Sequence, residues 1–153
     1  MTRTIGYCIL ICLASVLVCT SMAATNVLSD SNTFLASFVN HEFINVLGVF
    51  LAIMLPAIAS IHFAFNNIEE RHEHPGLLVG SRLELRKAVN WLVVLFVYGI
   101  LVAAFKPLQC YGPVGEALFN STALLILAWM ALIFYSQTLL VLQIGPTFKK
   151  QFL

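Results

Sequence analysis

Four apolar runs, residues 5–18, 43–65, 88–105 and 118–144, alternate with short polar breaks along this chain. A helix rising about 1.5 Å per residue needs roughly 20 apolar residues to cross a hydrocarbon core of about 30 Å. With their flanks, the runs predict membrane spans over residues 5–24, 42–66, 88–106 and 118–144. The expected fold is all-α: a single integral membrane four-helix bundle over residues 1–153. For the first run, a secretory signal peptide cleaved at Ser21-Met22-Ala23 is a rival to a retained span. A lipid-modified Cys19 fits less well, because Val18 stands where a small residue is expected.

The breaks carry their own signals. Asp30, Ser31 and Asn32 are N-cap residues for a helix starting near Thr33. Phe34, Leu35, Phe38 and Val39 are too apolar for a free loop, so they lie in the interface or begin the second helix early. Pro56 sits mid-span, where a missing N–H kinks a helix. Pro75-Gly76 stops the helical extension of the second span. Ser81-x-x-Glu84 has the spacing of a capping box that starts the third. Lys106-Pro107 ends that helix, and Gly145-Pro146 is a stop signal for the fourth. Gly48-x-x-x-Ala52 and Gly99-x-x-x-Ala103 are small-residue pairs that let helix backbones approach in lipid. Together with Pro56, the first pair predicts a bent second helix packed closely on a neighbour. Trp91 takes an interfacial aromatic position.

Composition sharpens the class. The chain is 60% hydrophobic and 10% charged, against about a quarter charged for soluble domains. Its mean hydropathy is +0.93. A net charge of +1 with no basic stripe argues against direct nucleic-acid binding. Lys and Arg set orientation. With four spans, one side holds Arg3, Arg71, Arg82, Arg86, Lys87, Lys149 and Lys150, and the other holds only Lys106. Both termini and the helical 66–87 connection are therefore expected in the cytoplasm, with the protein multi-pass in the cell's inner (plasma) membrane.

Polar groups within a bilayer are costly and often functional. Here they are Asn45, His62, Asn90, Ser136 and Gln137. His62, Asn90 and Gln137 fall at similar depth near the inner leaflet. They would ring a constriction if several copies assembled, or else bond helix to helix. In the connection, Glu69, Glu70, Arg71, His72, Arg82, Arg86 and Lys87 are candidates to face a cytosolic protein partner. At the outer end, Glu42 and Lys106 lie level enough for an ion pair, and Cys19 and Cys110 share a side where a disulfide is permitted. Cys8, Cys12, Ser15 and Cys19 follow one helical face, read as ordinary packing.

No metal site or cofactor is expected. Glu69-x-x-His72 and Glu70 with His74 have ligand spacings, but a carboxylate-bridged site needs further Glu and His from other helices. The cysteines lack CxxC spacing, and haem ligated by two His would need a second subunit to complement His62. With no Ser-His-Asp set and no phosphate loop, an enzyme is not expected.

The four short spans, the cytoplasmic termini and the charged extension NNIEERHEH…SRLELRKAVN between spans two and three complete the pattern. In this layout the whole chain resembles the small four-span membrane proteins of phage-exclusion and phage-defence (antiviral) systems. That resemblance implies membrane depolarisation or permeabilisation triggered by a cytosolic sensor. The residues alone allow three functions. One is a homo-oligomeric effector or pore in membrane lipid, controlled through residues 66–87. The second is a non-conducting anchor or accessory subunit, and the third, more distant, is a redox, metal or haem subunit.

Overall fold

The computed structural model describes residues 3–72, 76, 78–108 and 112–151, with the side chains of residues 3, 72 and 143–151 excepted. Among these residues the chain is all-helical. Helix α1 (Arg3–Ala23) leads through a single turn, α2 (Thr25–Leu28), to a short α3 (Thr33–Ser37). Helices α4 (Phe43–His72), α5 (Val79–Phe105) and α6 (Gly112–Gln151) follow. Four stretches are long and apolar enough to cross a membrane: Thr4–Ala23, Thr33–Arg71, Val79–Leu108 and Gly112–Leu142.

The core is a seam of three helices. Buried positions on α5 (Leu85, Ala88, Leu92, Leu95, Gly99, Val102) recur at steps of three and four. Ala123, Ile126, Met130 and Ile133 on α6 repeat those steps, and Phe43, Leu47, Met54, Ile58 and Phe65 on α4 keep the same register. This is the spacing that holds one stripe of a helix against its neighbours. α1 packs along α6 rather than entering the seam. Only 6% of its apolar window is buried, against 33% for α5.

The small-residue pairs divide between inside and outside. A Cβ on Gly99 would overlap Leu47 Cδ1 and crowd Phe43, so this glycine allows α4 and α5 to approach. Ala103, one turn on, is buried too. Gly48 meets nothing within 4 Å, and Ala52 is exposed. The close neighbour expected there does not come from the described part of this chain.

α4 stays helical across Pro56, whose missing N–H removes only one bond of a long apolar helix. A break that the sequence did not signal lies earlier in the second span, at Val39 and Asn40, whose backbone is non-helical. That break separates α3 from α4. Of the three candidate caps, Asn32 is used: its Oδ1 accepts the Phe34 N–H at 3.2 Å. α6 continues through Gly145-Pro146 to Gln151, so that pair does not end the helix. Ser81 lies inside α5, which begins at Val79 after Leu78, so Ser81-x-x-Glu84 does not mark the helix start.

Candidate functional site

What starts α5 is Glu69, on the last turns of α4. Its Oε1 accepts the Leu78 N–H at 2.9 Å, and its Oε2 pairs with Arg82 Nη2 at 2.6 Å. One carboxylate thereby satisfies an orphan donor at a helix start and fixes a guanidinium one turn in. Gly76, at φ +92°, takes the left-handed conformation that lets the chain reverse. Glu69, Leu78 and Arg82 thus form a clamp across the hairpin. Of the other candidates in the connection, Glu70 and Arg71 are exposed, as are Arg86 and Lys87. Lys87 stands 3.6 Å from Glu84 on its own helix. The side chain of His72 and all of His74 lie outside the described residues.

The polar candidates within the apolar windows do not converge. Asn45, His62, Asn90 and Ser136 are exposed, whereas Gln137 is buried in the seam. Ser136 turns its hydroxyl back to the Ile133 carbonyl at 2.8 Å, as isolated hydroxyls in apolar helices do. Gln137 Oε1 is buried with no partner among the described residues. It borders a crevice with Trp91 and Trp129, whose rings meet at 4.9 Å. His62 instead lines a groove between α4 and α5 with Arg82 and Arg86. The described chain therefore gathers no polar ring around a lumen of its own.

The densest polar cluster is at the opposite end, and the sequence reading missed it. Lys106 is 8% exposed, and its Nζ stands 2.8 Å from Asp30 Oδ1. Asp30, not Glu42, is its partner; similar depth did not establish that two side chains face each other. Asn120, fully buried, donates to the Leu28 carbonyl at 2.7 Å and to Asp30 Oδ1 at 3.1 Å. Glu116 Oε2 accepts the Asp30 N–H at 3.1 Å. Burial acts to raise the Asp30 carboxyl, but the bonded Lys106 and Asn120 side chains and the Lys106 charge outweigh it and hold the group below its ordinary value. Deeper in, the Ser21 and Ser121 hydroxyls meet at 2.7 Å and tie α1 to α6. The signals were there: Asp30 is the one Asp of the chain, and Asn120-Ser121-Thr122 is a polar triplet at the start of the last run.

This network bounds a polar cavity of about 300 Å³ with Asn40. It joins the α2–α3 corner, α5 and α6 into one unit. Among the described residues no three His, Cys, Asp or Glu side chains converge as metal ligands, and Glu69 is committed to the hairpin clamp. Cys8, Cys12 and Cys19 carry free, exposed thiols; Cys110 and any Cys19–Cys110 pairing lie outside the described residues. No family model, curated protein or solved structure matches the chain.

Proposed function

We propose that this chain is a non-enzymatic subunit of a homo-oligomeric assembly in the inner membrane. It acts there as an effector that permeabilises or depolarises the bilayer. The supporting observation is the outward placement of Asn45 and Asn90 on helices apolar enough to span. Unpaired polar groups facing lipid are costly, and the open surface at Gly48 and Ala52 beside Asn45 offers room for another helix. Neighbouring copies would cover these groups and place them between subunits, where a conducting path needs them. The excess of Lys and Arg sets both termini and the 66–87 connection in the cytoplasm. There the exposed Glu70, Arg71 and Lys87 are available to a cytosolic partner. The layout shared with phage-exclusion and phage-defence proteins supports the same reading.

A non-conducting anchor is the second reading. It is favoured by the apolar seam, which holds no polar path among the described residues of one chain. Reconstitution into liposomes separates the two. An effector passes ions, and Asn90→Ala changes the flux. A wild-type chain that cross-links into oligomers yet stays silent with its partner bound leaves only the anchor.

A further inference from the structure

We infer that the groove between α4 and α5 is a binding site for one anionic phospholipid, with its phosphate at Arg86 and Arg82 and an acyl chain along the helices. The groove encloses about 560 Å³. Its floor is apolar, formed by Ile58 and Leu85 from the core with Ala59 and Val89 beside them. Among the described residues its polar lining is His62, Arg82 and Arg86, and Glu69, bonded to Arg82, offsets one of the two guanidinium charges.

The order of these residues along the two helices matches a lipid's own polarity. Glu69 pairs with Arg82, and the helices run antiparallel, so His62 comes level with Val89, one turn deeper than Arg86. Beyond it toward the bilayer interior lie Ala59, Ile58 and Leu55, all apolar. Guanidinium groups thus stand at the hydrated mouth and hydrocarbon at the deep end.

Two features fit a phosphate at that mouth. Arg82 is held in place by Glu69, so its guanidinium is positioned before a ligand arrives. Arg86, four residues on and on the same helix face, is exposed and enters no ion pair with a described residue. Arginine forks match phosphate oxygens in geometry as well as charge. Net positive charge at the mouth favours an anionic over a zwitterionic headgroup.

The test is native mass spectrometry of the full chain in detergent, titrated with dioleoyl phosphatidylglycerol or dioleoyl phosphatidylcholine. The expected result is one retained phosphatidylglycerol per chain and clear preference over phosphatidylcholine. Arg86→Gln should weaken it about fivefold, the effect of one surface arginine on an anionic lipid. Ala59→Phe, which fills the apolar end and leaves every charge in place, should weaken it as well. Lys87→Gln removes the same charge beside a different crevice and should leave binding unchanged; thermal unfolding of each variant checks that it folds. Equal losses in Arg86→Gln and Lys87→Gln would reduce the effect to net charge and overturn the site. Equal retention of both lipids, or cross-links showing a second copy seated in the groove, would overturn it too.

Discussion

At the residue scale, Lys106 and Asp30 are the most consequential pair. Removing one partner strands the other, and a buried unpaired charge costs more than the pair contributes. Asp30 is 35% exposed on its side chain, so solvent screens part of the interaction. We expect Asp30→Ala to destabilise the folded chain by about 1–2 kcal/mol, read as thermal unfolding in detergent. Lys106→Met combined with Asp30→Ala should recover much of that loss. Because the folded carboxyl is held below its ordinary value of 3.8, its contribution is full above that value. It is lost as pH falls through the lowered folded value. A melting temperature insensitive to acid in that window would remove the ion pair from the account. Gly99 is the second such residue. Gly99→Ala should cost about 1–3 kcal/mol by overpacking Leu47 and Phe43, while Gly48→Ala, facing open space, should leave the isolated chain as stable as before.

At the element scale, the α4–α5 hairpin depends on a carboxylate borrowed from the preceding helix. Glu69→Gln keeps the size but loses the charge that holds Arg82. Hydrogen exchange at the first turn of α5 should then quicken, with the seam around Leu92 unaffected; uniform quickening would mean that Glu69 supports the whole bundle. This element also shows where sequence was sufficient and where it was not. Length and apolarity are local quantities, and they identified four helices capable of spanning. The caps were harder. Ser81-x-x-Glu84 has the right local spacing, yet the start of α5 is set by Glu69, nine residues before Leu78. Nothing in the spacing ranks a tertiary cap above a local one. Lys106 posed the same problem: depth along a helix followed from residue counting, whereas rotation about its axis did not, and rotation decided between Glu42 and Asp30. The small-residue pairs at Gly48 and Gly99 are alike in sequence, and only packing separates the outward one from the inward one.

At the scale of the whole molecule, α4, α5 and α6 share the core while α1 rests on α6, fastened by the Ser21–Ser121 contact. The proposed assembly adds surface where the single chain leaves polar groups uncovered. Asn45→Cys should form a disulfide between copies in membranes under oxidising conditions, with Phe134→Cys, exposed on α6, as the comparison. Equal cross-linking at both positions would mean random collision rather than an interface. Accessibility labelling at Ser31 and Gly76 should find them on opposite sides of the membrane, with Gly76 inside. Labelling of Gly76 from outside would reverse the orientation and remove the connection from any cytosolic trigger.

The exposure of α1 has a practical sequel. Cys8, Cys12 and Cys19 lie open on its surface, so the native polypeptide already carries three reporters at successive heights. A thiol-alkylating reagent that partitions into lipid would map, peptide by peptide, how far a neighbouring subunit shields that helix. Protection confined to one rung would locate the seam between copies without altering a single amino acid.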